Sequence, residues 1–352
     1  MSSAKKAIII IVVITAAAAA AFFGFLAVEG RAVDSSNGKQ IIIQVEQGSG
    51  AAQIAATLKE NGLIRSTRAF MLQSKISGYN SKYCAGYYAF TRKMSQKSIM
   101  KDIVNGKTAG KTFRITDGQS LEKVAVQLNK QGICTKKEFF REVAKGSFDY
   151  KFMKYLPKGG TRLEGFLWPD TYTIPIKGGA HEAIDAMLTA FNRNVTDKYY
   201  TAAKKMDMNI YDIVTTASII QREASKSGDM PKVASVIYNR LDKDMYLQMD
   251  SIVAYITGEE RVIATYADIA ADSDYNPYKN KGLPPGPICS PGKTALDAAI
   301  SPADTKYIYF VTSPKLDGSL VFSETDKQFA KDKKAFEKAY KKYQEKNGGS
   351  ND

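Results

Sequence analysis

At 352 residues the chain exceeds what one compact core usually holds, so two or three domains are expected. Its 50 Lys and Arg outweigh 36 Asp and Glu, and the net charge of +14 suits any anionic partner, whether nucleic acid, acidic lipid or wall polymer. A single histidine, His181, excludes Ser-His-Asp, Cys-His and multi-histidine metal chemistry, while Cys84, Cys134 and Cys289 stand too far apart, with no CxxC pair, for a zinc site.

The lysines are scattered and read equally as solvated faces, so charge does not choose the partner. At most one disulfide is available to three cysteines. Any catalysis must rely on carboxylates, amides, hydroxyls, lysine or arginine.

From Ala7 to Val28 the chain carries no charge. At about 1.5 Å per residue a helix over this run reaches roughly 33 Å, enough to cross a hydrocarbon core. Lys5 and Lys6 precede it and Glu29 follows, which predicts a cytoplasmic N-terminus and an extracytoplasmic remainder, a single-pass plasma-membrane protein. A cleaved signal peptide is the alternative, but the run is longer than a signal core. The outside topology denies the basic charge access to nucleic acid.

Residues 30–40 have a polar linker composition. A strand is expected at Ile41–Val45, then a helix over 51–61 that Asn61-Gly62 terminates, with the glycine placed for the left-handed region. The same grammar returns 70 residues later: Val45-Glu46-Gln47-Gly48 aligns with Ile115-Thr116-Asp117-Gly118, Leu58 with Leu128, Gly62 with Gly132, and Phe70 with Phe140. Two related small α+β units are predicted. The first resembles LysM-like modules, which implies either glycan contact or a spacer.

Between Gly159 and Pro175 the sequence GGTRLEGFLWPDTYTIP sets Trp168 between Glu164 and Asp170, composing either a sugar-gripping surface or a buried aromatic plug. From Asn209 onward a helix is predicted, with Ile210, Ile213, Val214, Ala217, Ile220 and Ala224 on one side. A second fits Pro231–Leu241 with proline in a tolerated first-turn position. The stretch YNPYKNKGLPPGPICSPG, 275–292, is a long proline-glycine loop of a kind that commonly carries function. A helix at Lys293–Ile300, strands at Tyr307–Thr312 and Ser319–Ser323, and a lysine-rich helix from Asp326 to Glu345 close the chain.

LEGFLWPDTY (163–172), ASIIQREA (217–224), KVASVIYNRL (232–241), LQMD (247–250) and the 275–292 loop occur in this order. Together they resemble the MltG (YceG-like) endolytic murein transglycosylases over about residues 41–330. In that family the catalytic glutamate is the second of two in A-S-I-(I/V)-E-K-E. Here the motif ends Gln221-Arg222-Glu223, so Glu223 takes the acid's place and Gln221 replaces the first glutamate. At 100° per residue Gln221 falls near the apolar centre of the helix and Glu223 on its flank, the boundary of core and cleft. Without the family, Glu223 reads as a surface partner of Arg222 or Lys226. Members often carry histidines near Ser301-Pro302 and Leu320–Ser323; this chain has none there.

The resemblance implies a lyase, an endolytic peptidoglycan lytic transglycosylase that cuts the MurNAc-GlcNAc β-1,4 bond within strands and leaves 1,6-anhydro-MurNAc ends, terminating nascent strand elongation. One glutamate as acid and base suffices for this, and no cofactor or metal is expected. Asn239, Arg240, Gln248, Asp250, Tyr275 and Asn276 are the polar residues of the motifs, each a glycan contact or a buried structural partner. Glu164 and Asp170 are reserve carboxylates for the alternative, a two-carboxylate glycoside hydrolase. A non-catalytic wall-binding scaffold is the other alternative. Expected partners are peptidoglycan strands, the plasma membrane and peptidoglycan synthases. The expected architecture is α+β: a stub (1–6), a transmembrane helix (7–28), a linker (29–40), a LysM-like module (41–110), a repeat-related unit (111–158), a larger catalytic domain (159–335) and a lysine-rich tail (336–352).

Overall fold

The computed structural model describes residues 3–258 and 265–346. The first two residues of the expected stub and the end of the lysine-rich tail lie outside the described residues. The fold is mixed α+β and divides into two compact units, Met1–Lys111 with Thr173–Gly178, and Thr112–Tyr172 with Gly179–Asp352.

The first unit begins with α1 (Ser3–Glu29), whose segment Ile9–Glu29 has mean hydropathy 2.7 and is long and apolar enough to cross a membrane. It continues with β1 (Gln40–Val45), α2 (Ala51–Glu60), α3 (Thr67–Ile76), β2 (Gly86–Thr91) and α4 (Gln96–Val104). The two strands pair antiparallel from Gln40 opposite Thr91 to Val45 opposite Gly86. Alternation sends Ile43 and Val45 inward, where they meet Ile54 and Leu58 of α2, Phe70 of α3, Tyr88 and Phe90 of β2, and Ile99 and Ile103 of α4. Each of the three helices and the strand pair contributes one such face, so the core forms only when all four faces converge.

Next come β3 (Gly110–Arg114), α5 (Leu121–Lys130), α6 (Lys136–Lys145) and β4 (Thr171–Pro175), and β3 pairs with β4. The division between the units falls within this strand pair.

The repeat has a backbone signature. Gly48 and Gly118 have φ of 82° and 81°, and Gly62 and Gly132 both have 67°, a left-handed conformation that glycine adopts without steric cost. Leu58 and Leu128 are both fully buried. One alignment needs correction. The connection to the second helix is one residue shorter in the later copy, since Ser66 caps α3 and Thr135 caps α6. Phe70 therefore corresponds to Phe139, which is fully buried, and not to Phe140 at the rim.

The second unit continues through α7 (Ala180–Asn194), α8 (Asp197–Lys205), α9 (Ile210–Glu223), α10 (Met230–Asp242), α11 (Asp250–Thr257), α12 (Tyr266–Ile269), α13 (Lys293–Ile300), β5 (Tyr309–Thr312), β6 (Leu320–Ser323) and α14 (Asp326–Lys346). Helix α9 is its axis and packs against α8, α10, α11 and α13. The predicted one-sided apolar stripe understates this: every residue from Ile213 to Ile220 is buried. Thr215, Thr216 and Ser218 tolerate burial because their hydroxyls donate to carbonyls of Tyr211, Asp212 and Thr215, at 2.8, 3.0 and 2.7 Å. Trp168 is 8% exposed and meets Phe191 edge-on, the plug arrangement.

Candidate active site

Glu223 is the last residue of α9; Ala224 already turns into extended backbone. The side chain is half-buried, and its Oε1 accepts a 3.2 Å hydrogen bond from the amide of Ser251, in the first turn of α11. Burial pushes the Glu223 carboxyl up because the charged form loses water. Ser251 opposes that shift, Asp250 reinforces it by repulsion, and Arg222 opposes it least. Lys226 pairs instead with Asp317 at 2.9 Å, so Glu223 is not a member of a surface ion pair with it.

Asp250 opens α11, and its Oδ1 accepts the Tyr278 hydroxyl at 2.7 Å. This brings LQMD and YNPY to the end of the ASIIQREA helix. Polar residues of α9 hold the other end of the proline-glycine loop. Ser218 Oγ accepts from the Ile288 amide at 3.0 Å, and Gln221 Oε1 accepts from the Gly292 amide at 3.0 Å. Gln221 thus clamps backbone where the family motif has a glutamate. Gly286 lies against the hydroxyls of Tyr211 and Tyr275, and a Cβ there would approach the Tyr275 oxygen to 3.0 Å.

The remaining expected contacts divide. Arg240 is 6% exposed and donates to carbonyls of Ile308 at 2.6 Å, Tyr246 at 3.0 Å and Leu247 at 2.8 Å. Asn239 donates to carbonyls of Thr305 and Tyr307, and the fully buried Asn276 to those of Ile269 and Ala271. These three side chains are internal staples, the structural alternative weighed for them. Gln248 is exposed, with φ of 50°, and its side chain accepts from Arg240 at 3.3 Å. The Tyr275 ring packs on Tyr255 with centroids 5.4 Å apart.

The reserve carboxylates lie in different concavities. Asp170 caps the Thr171 amide at 2.7 Å and lines a hollow with Arg114, Asp117 and Pro169. Glu164, 4% exposed, lines a separate cavity of about 420 Å³ with Leu121, Lys123, Arg222 and Tyr255. Sequence reasoning missed Ser251, Tyr255 and Tyr278. Tyr278 was legible within YNPY, whereas a contributing backbone amide leaves no side-chain signal.

Residues 43–335 match the model of the YceG-like family. The chain belongs to the YceG-like family. This YceG-like chain is 32% identical over 316 residues to the endolytic murein transglycosylase of Bacillus subtilis (strain 168), covering 86% of this chain and 87% of that protein. It is 31% identical over 306 residues to the endolytic murein transglycosylase of Streptococcus pneumoniae serotype 2 (strain D39), covering 79% of this chain and 55% of that longer protein. The crystal structure of a YceG-like protein from Listeria monocytogenes superposes with a TM-score of 0.54 at 31% identity, over 83% of this chain and 99% of that one.

Proposed function

We propose that this YceG-like chain is an endolytic lytic transglycosylase that cleaves the MurNAc-GlcNAc β-1,4 bond inside peptidoglycan strands, with Glu223 as acid and base. The observation that carries the reading is the state of Glu223: a half-buried carboxyl with raised proton affinity whose anion has a backbone donor in Ser251. A glycosidic oxygen leaves poorly as an alkoxide, so a proton must reach it as the C1–O bond breaks. Protonated Glu223 supplies that proton, and its charge then rests against the Ser251 amide at the positive end of α11. The C6 hydroxyl of the muramyl ring attacks C1 and returns its proton to Glu223. The products are a new 4-hydroxyl end and a 1,6-anhydro end, with no water consumed.

Supporting the cellular reading, the basic residues Lys5 and Lys6 precede the apolar helix and Glu29 follows it, the charge order of a single-pass anchor with its catalytic part outside. In that setting the enzyme would meet nascent strands near their synthases and end their elongation. The test is mass spectrometry of products released from sacculi by the full chain in detergent, alongside Glu223→Gln. Anhydro-ended fragments that disappear in the variant are expected. Reducing ends only would establish a hydrolase, and undiminished cleavage by the variant would overturn the assignment of Glu223.

A further inference from the structure

Glu164 is a buried carboxyl that the acid/base scheme leaves unused. Both its oxygens lie 3.1 Å from the amide of Leu121, the first residue of α5, and Oε2 accepts the Tyr255 hydroxyl of α11 at 3.3 Å. Tyr255 stands four residues after Ser251, hence on the same face of α11, one turn along. The segment carrying Glu164 is wedged in place: Gly165 has φ of 85°, and a Cβ there would come 2.5 Å from Pro287 Cβ and 2.8 Å from Val214 Cγ1. A continuous line of contacts therefore runs from α5 through Glu164 and Tyr255 to α11, and from Ser251 to Glu223.

We infer that Glu164 is a positioning residue: its carboxyl ties α11 to the first turn of α5 and so holds the Ser251 amide against Glu223. The inference rests on Glu223 being the acid/base. It also separates Glu164 from the second carboxylate of a hydrolase, since the group works through α11.

Burial pushes Glu164 up to about 8, although the Leu121 amide, the Tyr255 hydroxyl and the Gly165 amide each favour its anion. Tyr211 of α9, Tyr255 of α11, and Tyr275 and Cys289 of the proline-glycine loop face it, none of them a cation. Lys123 and Glu122 of α5 and Arg222 of α9 share its cavity. Near neutrality Glu164 is thus a neutral carboxyl, whose shape and hydrogen-bonding a glutamine copies. Above about pH 8 a charge appears among the three tyrosines, and the cost of keeping it out of water destabilises the packed segment around the tie although its hydrogen bonds favour the anion. The native state holds this proton more tightly than the unfolded chain does. Its contribution to stability is complete below about pH 4.5 and is lost as pH rises through about 8.

The experiment compares wild type, Glu164→Gln and Glu164→Ala as full chains in detergent, by cleavage kinetics and thermal melting from pH 5 to 9. The alanine variant should lose about tenfold in kcat with little change in KM, and glutamine should rescue most of that loss. The rescued enzyme should lack the wild-type fall in activity centred near pH 8. Wild type should also lose Tm relative to Glu164→Gln between pH 5 and 8. A glutamine variant as inactive as Glu223→Gln would overturn the inference, making Glu164 a chemical participant; an alanine variant as active as wild type would reduce it to packing. Cleavage surviving in Glu223→Gln would instead sink the acid/base reading, while the melting comparison would still report on Glu164.

Discussion

Glu223, at the end of α9, is held by the backbone amide of Ser251 in the first turn of α11, at 3.2 Å. Ser251→Pro deletes that donor at a position where a helix tolerates proline. The Glu223 carboxyl should then hold its proton still more tightly, and the alkaline limb of kcat/KM should move to higher pH. Hydrogen bonds to charged groups contribute about 1.5–3 kcal/mol, so kcat should fall by about tenfold or more. Ser251→Ala keeps the amide but removes the hydroxyl, which also lowers the Glu223 proton affinity, so it should move the alkaline limb in the same direction while kcat falls less than in the proline variant. Equal effects of the two substitutions would refute the role of the amide.

Arg240 separates stapling from substrate binding. Its guanidinium serves three carbonyls and stacks over the Tyr309 ring at 5.2 Å. A lysine cannot reproduce that planar fork, and Arg240→Lys should cost about 2–4 kcal/mol in denaturant unfolding. KM of the folded fraction should stay near the wild-type value. A raised KM with unaltered stability would restore Arg240 as a glycan contact.

Gly286→Ala should destabilise the fold by about 1–3 kcal/mol, because the new methyl meets the hydroxyls of Tyr211 and Tyr275. Tyr211→Phe in the same chain removes one of the colliding oxygens and should recover part of the loss. A double-mutant cycle by thermal melting measures the coupling, and additive effects would contradict the contact.

His181 offers a direct titration, being the chain's single histidine. Its Nδ1 lies 2.7 Å from Glu142 Oε1, which raises the imidazole's proton affinity. NMR should find its midpoint above 6.5, and Glu142→Gln should lower it. The pair's contribution to stability is complete below the unfolded histidine's pKa and is lost as pH rises through the folded value. It is small, since the imidazole is half exposed. A midpoint that Glu142→Gln leaves in place would contradict the pairing.

Much of the site was legible in order along the chain: α9 following Asn209, α10 with Pro231 in its first turn, and the proline-glycine loop from Tyr275. The less legible parts depend on partners distant in sequence. The one-sided stripe on α9 hid its complete burial because threonine and serine bonded to their own helix count as polar in a periodic reading. Phe140 was matched with Phe70 because a constant offset is blind to a one-residue deletion, which the caps at Ser66 and Thr135 expose.

By itself the sequence determined the local elements, the apolar helix and the repeat's turn glycines, since propensity and periodicity act over neighbouring residues, while Glu223 as the candidate acid came from the resemblance of its motif to the family's. Only the tertiary structure decided which polar side chains are staples, that Glu164 and Asp170 occupy separate concavities, and that a backbone amide of α11 faces Glu223. Those outcomes turn on burial and on which distant donor meets which acceptor. Both come from packing whole elements together, which no window along the chain encodes.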